Sequence, residues 1–157
     1  MPRFAPVLAA AGLAALASPA AAPALIQVDR GIAGVRLDNT RAEVRAALGA
    51  PDRRRSGENP FGRFVEYRYA GGIRVLFQGG RRVTSVTTTG LGDRTARGVG
   101  VRSSERAVRR RVRGVRCETF GGVRSCHTGA FDAGTTITDF MLRRGRVVRV
   151  TVGIVID

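Results

Sequence analysis

The chain contains an internal repeat, because residues 35–88 reappear 64 residues later as residues 99–152. A repeat of this length indicates one supersecondary unit used twice in tandem. The positions that repeat are apolar, capping and turn residues, and no chemically reactive residue repeats with them. The repeat therefore constrains the fold more than the function. The clearest matched pairs are Val35 and Val99, Thr40 and Ser104, Val44 and Val108, Leu48 and Val112, and Ile73 and Ile137.

Each unit is predicted to begin with a short helix. In the first unit Thr40 and Glu43 have the spacing of a capping box, and Pro51 prevents the helix from continuing beyond two or three turns. In the second unit Ser103 or Ser104 caps the equivalent helix. Helices this short are not stable alone, so each needs a sheet to cover its apolar side.

Alternating apolar and polar residues after each helix predict an antiparallel meander. Each half would be only marginally stable alone, since near 60 residues bury little surface. We therefore predict an α+β fold of two tandem units, each a short helix followed by three or four antiparallel strands, which together share one sheet. The units are residues 25–90 and 98–157, joined by a polar linker at 91–97. The predicted strands are 64–69, 73–77 and 83–89 in the first unit, and 124–128, 136–142 and 147–156 in the second.

Residues 1–24 have the layout of a secretory signal peptide. Arg3 is followed by an apolar run at 7–17 and by small residues up to Ala24. The run is shorter than the ~20 apolar residues that span a bilayer, so a membrane anchor is the less favoured alternative. No cysteine lies near the cleavage region for lipid attachment. We expect a secreted or cell-envelope protein with a cleavable signal peptide and no lipid anchor.

The two cysteines, Cys117 and Cys126, flank a Gly-Gly turn. In an exported protein this arrangement favours a disulfide, which would contribute about 2 to 3 kcal/mol of stability by closing so short a loop. A redox pair or a metal site is less favoured, because the spacing is not Cys-x-x-Cys and His127 is the only histidine. We predict no metal and no cofactor.

The composition is strongly basic, with 27 basic residues against 12 acidic ones and a net charge of +15. All of the basic residues are arginine, a bias that a GC-rich genome would impose on any surface. A solvated basic surface is therefore favoured over a nucleic-acid site. The alternative is that the second helix binds an anionic envelope polymer, lipid head groups or nucleic acid through Arg106, Arg109, Arg110 and Arg113.

The favoured binding surface is the face of the sheet that points away from the helices. Phe64, Arg68 and Arg74 are expected on this face in the first unit, and Arg149 in the second. An aromatic side chain among arginines suits an acidic protein or envelope partner.

A Ser-His-Asp arrangement could be drawn from Ser125, His127 and either Asp132 or Asp139. Adjacent residues of a strand point to opposite faces, however, and no nucleophile elbow accompanies these residues. We therefore predict no catalytic residue, and we expect His127 to pack beside the disulfide.

The segment from Gly31 to Pro51 reads Gly-x-x-Gly-Val-x-x-x-x-Thr-x-x-x-Val and closes with Leu-Gly-x-Pro. It resembles the start of the SmpA/OmlA domain of bacterial outer-membrane assembly lipoproteins. Two such units in tandem resemble the architecture of beta-lactamase inhibitory proteins, and the chain is also similar to small exported proteins of GC-rich actinobacteria. The resemblance implies a non-enzymatic protein that presents the free face of its sheet to another protein. The lipoprotein cysteine is absent, and with no Trp and two Tyr the chain carries no recognisable inhibitor contact residue.

Overall fold

The computed structural model describes residues 25–156, so the predicted signal peptide lies outside the described residues. The helices are α1 (Arg41–Leu48) and α2 (Glu105–Arg111), and Ala70–Gly72 forms a 3-10 turn. Neither helix is long and apolar enough to cross a membrane. The strands are β1 (Leu25–Gln27), β2 (Gly31–Ile32), β3 (Val35–Arg36), β4 (Arg53–Asn59), β5 (Gly62–Arg68), β6 (Arg74–Gln78), β7 (Ser85–Thr88), β8 (Arg94–Thr95), β9 (Arg116–Phe120), β10 (Val123–His127), β11 (Thr136–Arg143) and β12 (Arg146–Ile154).

Eight of the strands form one large antiparallel sheet in the order β4-β5-β6-β7-β12-β11-β10-β9. The two central strands, β7 and β12, pair over four residues, and Thr87 lies opposite Thr151, which is 64 residues later. The hydroxyl oxygens of these two threonines lie 3.1 Å apart and share a hydrogen bond.

The predicted helix caps are present. The Thr40 hydroxyl accepts a hydrogen bond from the Glu43 backbone N–H, and the Glu43 carboxylate accepts one from the Thr40 N–H. In α2 the cap is Ser104, whose hydroxyl accepts from the N–H of Ala107. Each helix buries one valine completely, Val44 in α1 and Val108 in α2.

Equivalent contacts recur 64 residues apart just before the helices. The Arg82 guanidinium donates to the carbonyl of Asp38 at 2.9 Å, and the Arg146 guanidinium donates to the carbonyl of Arg102 at 3.3 Å. Asp38 and Arg102 both have positive φ, 67° and 72°. The same turn therefore leads the chain into α1 and α2.

The predicted fold class is wrong, because the molecule is not built of two helix-plus-meander units that share one sheet. A separate four-stranded mixed sheet, in the order β3-β2-β1-β8, packs beside the helices, and β1 pairs with β8 in parallel. Its strands have only two or three residues, so no periodicity marks them in the sequence. Strand β8 lies inside the predicted linker 91–97. Strand β4 was also missed, since nearly all of its residues are exposed and do not alternate.

The core lies between one face of the large sheet and a layer made of α1, α2 and the small sheet. All three parts contribute fully buried apolar side chains to one continuous cluster. The opposite face of the large sheet, which we call the open face, carries no such layer within residues 25–156. The largest fully buried side chains are Phe77, Phe140, Ile26, Ile32 and Val35.

Candidate functional site

The open face carries a continuous row of polar side chains across all eight strands. Strand register brings these residues into line because directly opposed residues share a face. The row is strongly basic over β4, β5 and β6 and becomes mixed over β11, β10 and β9. From edge to edge it runs Arg53, Arg68, Arg74, Thr87, Thr151, Asp139, His127 and Arg116.

The structure does not bring the four predicted sheet-face residues together. Phe64, Arg68 and Arg74 lie on the open face of β5 and β6, whereas Arg149 lies on β12, with β7 between them. The guanidinium of Arg55 covers the Phe64 ring at 5.6 Å. Arg68 forms an ion pair with Glu66 at 2.5 Å. The expected aromatic anchor is therefore half-buried, and one of its arginines is already neutralised.

The open face instead has a groove over β9 to β12, with a volume of about 580 Å³. Its floor comes from alternate residues of β10, β11 and β12, and its walls come from the β9–β10 hairpin and from Phe131 in the β10–β11 loop. We call it the phenylalanine groove. Its lining is Glu118, Phe120, Val123, Ser125, Phe131, Ile137, Asp139, Met141, Arg149 and Thr151.

Large apolar side chains surround this groove and are open to solvent. Phe120 is 86% exposed, Phe131 is 54% exposed and Val123 is 44% exposed. Clustered exposed apolar groups mark interaction sites, whereas scattered ones are ordinary. Arg149 is the one predicted site residue that lines this groove.

Asp139 places a carboxyl group in the floor of the groove. Its Oδ1 is buried and has no hydrogen-bond partner within residues 25–156. Burial raises the pKa of Asp139, and the nearby Ser125, Arg149 and His127 only partly oppose this shift. The protonated form is therefore favoured more than in an exposed aspartate.

His127 is 3% exposed and borders the groove. Its Nε2 lies 3.0 Å from a Glu118 carboxylate oxygen and its Nδ1 lies 3.2 Å from the Gly129 carbonyl oxygen, while its ring packs on Phe131 with centroids 4.5 Å apart. Both ring nitrogens thus lie within hydrogen-bonding distance of acceptor oxygens. Neither nitrogen bonds Ser125 or any aspartate, so this geometry is not that of a Ser-His-Asp triad.

Cys117 and Cys126 form a disulfide between β9 and β10 at directly opposed positions. Cys126 is fully buried in the core, on the face opposite the side chain of His127. The expectation that His127 packs beside the disulfide is therefore wrong: the two residues are adjacent in β10 and project to opposite sides. The Glu105 carboxylate lies near both sulfur atoms, but the sulfurs are bonded to each other and are not thiolates.

The predicted polyanion contacts on α2 are not equivalent. Arg109 pairs with Glu105 at 2.9 Å, and Glu105 also pairs with Arg124 at 2.5 Å. These hydrogen bonds, that from Arg124 most of all, lower the pKa of Glu105. The side chains of Arg106, Arg110 and Arg113 are exposed.

Sequence reasoning missed most of the phenylalanine groove. A signal was present, since Phe120 and Val123 flank the Gly121-Gly122 turn of a hairpin and project to the same face. The loop position of Phe131 has no such signal, because it depends on how residues 128–135 fold back over β10.

No family model matches the sequence, and no curated protein matches it. Among solved structures, the chain is similar to an extracellular protein containing a SCP domain from Bacillus anthracis str. Ames, with a TM-score of 0.51 and 10% identity. The likeness is one of fold alone. The match covers 74% of this chain but 43% of that one. A DUF4309 family protein (YjgB) from Bacillus subtilis subsp. subtilis str. 168 matches with a TM-score of 0.44 and 18% identity, over 74% of this chain and 78% of that one.

Proposed function

We propose that this protein is an exported, non-catalytic binding protein that holds apolar side chains of a protein partner in the phenylalanine groove. The observation that carries the proposal is the group of exposed apolar side chains, above all Phe120 and Phe131, around a groove in the open face.

The composition of the groove supports protein recognition. Binding energy at interfaces concentrates in a few apolar and aromatic anchors near the centre, surrounded by polar groups that exclude water. Phe120, Phe131 and Met141 provide apolar anchors here, and Arg149 and Glu118 add charged groups beside them. The net charge of +15 favours a partner whose surface is acidic around its apolar contact.

Three observations support export. The chain has a disulfide between Cys117 and Cys126, and such bonds persist in oxidising compartments. One structural neighbour is an extracellular protein. The signal-peptide pattern of residues 1–24 points the same way. The resemblance to the SmpA/OmlA domain and to beta-lactamase inhibitory proteins agrees with a binding role and remains part of the proposal.

The first test is affinity capture from the envelope and culture fluid of the producing organism, at low and high salt. The wild-type protein is compared with the double variant Phe120→Ala/Phe131→Ala and with the control Phe61→Ala. Phe61 is 51% exposed and lies in the β4–β5 turn, at the other end of the sheet.

We expect to capture a partner protein that stays bound to the wild type and to the Phe61 variant at high salt. The double variant should fail to retain this partner. Each anchor removed at the centre of an interface typically costs about 1 to 4 kcal/mol. Equal retention by the double variant would place the binding surface elsewhere. Circular dichroism of each variant shows whether the fold is retained.

A further inference from the structure

We propose a second binding site, separate from the open face, in which four arginines hold a phosphate-bearing anion. The site is a groove of about 790 Å³ between the end of β1, the loop after β8 and the C-terminal end of α2. We call it the arginine groove. Its lining is Leu25, Ile26, Gln27, Val28, Asp29, Arg30, Thr95, Ala96, Arg97, Arg111, Val112 and Arg113.

The four arginines come from three separate segments of the chain. Arg30 follows β1, Arg97 follows β8, and Arg111 and Arg113 lie at the end of α2. All four are exposed. Convergence from three segments shows that the tertiary fold, and not a local charge run, concentrates positive charge here.

None of these four guanidinium groups has an ion pair within residues 25–156, and none donates a side-chain hydrogen bond there. Among the other arginines of residues 25–156, Arg68, Arg109 and Arg124 each form an ion pair with a glutamate. The lack of an ion pair does not itself set the groove apart, since only three of the 26 arginines in residues 25–156 have one. What sets it apart is that four unpaired arginines line one groove.

The only acidic residue in the lining, Asp29, offsets one of the four positive charges and leaves an excess of three. The Asp29 carboxylate accepts hydrogen bonds from the hydroxyl groups of Thr128 at 2.5 Å and Thr138 at 2.8 Å. Both hydrogen bonds are to Oδ1, which therefore faces β11 and the start of the β10–β11 loop.

The helix dipole explains only part of the arrangement. Cations are favoured at the C-terminal end of a helix, which accounts for Arg111 in the last turn of α2 and for Arg113 two residues beyond its end. It does not account for Arg30 and Arg97, which belong to other segments.

The chemistry of the groove fits a phosphate-bearing ligand with more than one negative charge. The planar guanidinium fork bonds two phosphate oxygens at once, and four such groups require several charges for balance. This site differs from the patch predicted along α2, with which it shares only Arg113. It also does not depend on the phenylalanine groove, so either proposal can fail alone.

The test is calorimetric titration of the protein with tripolyphosphate at several salt concentrations. The variant Arg97→Gln/Arg113→Gln removes two charges from the groove. The control Arg143→Gln/Arg144→Gln removes the same charge from the exposed β11–β12 turn. Citrate serves as the carboxylate comparison.

We expect saturable binding by wild type, a loss of at least about tenfold in the groove variant, and a weaker dependence of its affinity on salt, because two of the charges that attract the anion are gone. The control should change affinity less than about twofold. Equal loss in both variants, no saturable binding, or equal binding of citrate would overturn the assignment. Unchanged thermal unfolding of both variants checks that they are folded.

Discussion

Asp139 shows how one carboxyl group in the floor of a groove can cost stability. Strand alternation places Asp139 in the floor of the groove between Ile137 and Met141, where burial raises its pKa. The pKa of Asp139 is therefore higher in the folded state than in the unfolded state. The contribution of this group to the free energy of unfolding is greatest below the usual aspartate pKa and is lost as the pH rises through the raised pKa.

We therefore expect Asp139→Asn to raise the melting temperature at about pH 7 and to have little effect at about pH 3, where the carboxyl is protonated in both states. Thermal unfolding followed by circular dichroism at both pH values measures the difference. Asp132→Asn, at an exposed loop position, is the matched control. An equal gain at both pH values would show that the carboxyl charge is not the cause.

At the residue scale, the sequence predicted the environment of residues whose contacts are local, and it failed for residues whose contacts come from other parts of the chain. The Cys117–Cys126 bond was predicted from spacing and compartment, and the structure contains it. Phe64 was predicted as an exposed anchor, but Arg55 from the next strand covers it. Phe120 and Phe131 were missed because only the tertiary fold joins them around one groove.

Among the elements, the two helices depend on their caps, because seven or eight residues cannot sustain a helix alone. We expect Thr40→Ala and Ser104→Ala each to lower the free energy of unfolding by about 1 kcal/mol. Urea unfolding measures this loss. Thr89→Ala is the control, since its hydroxyl makes no hydrogen bond within the described chain. A similar loss in the control would contradict a capping origin.

The α1 cap also has a pH dependence. Hydrogen bonds from Thr40 lower the pKa of Glu43. The stabilisation is therefore complete above the usual glutamate pKa and is lost as pH falls through the lowered value. We expect Thr40→Ala to cost less in acid than at neutral pH, and urea unfolding at both pH values measures this.

The elements that the sequence predicted well are those marked by a local residue pattern, which here is a capping residue or an alternation of apolar and polar residues. Capping residues fixed both helix starts, and alternation found β5, β6, β10, β11 and β12 closely. The missed strands lack such a pattern. Strands β2, β3 and β8 have two residues each, and they exist only because the backbone of another segment lies beside them.

For the whole molecule, the joint between β7 and β12 couples the two ends of the sheet. Val86 and Val152 are opposed across this joint and both are fully buried. We expect Val86→Ala to cost about 2 to 3 kcal/mol through lost burial and a residual cavity. The loss should appear together in the amide hydrogen exchange of β5 and β10, because one core cluster contains both ends.

Val148→Ala is the matched control for this experiment. Val148 is half-buried at the bulge in β12, so its replacement should cost less. Faster exchange confined to one end of the sheet would mean that the two ends unfold separately.

Strand β4 is one outer edge of the large sheet, and such an edge offers unpaired backbone groups to any extended chain. Its first three residues, Arg53 to Arg55, are all arginine. A second copy that paired there in parallel and in register would bring six arginine side chains together, and like charges directly opposite one another are destabilising. The exposed and charged residues that kept β4 from being predicted as a strand therefore also disfavour aggregation at this edge. A sheet this wide can keep an open edge without becoming the template for a fibre.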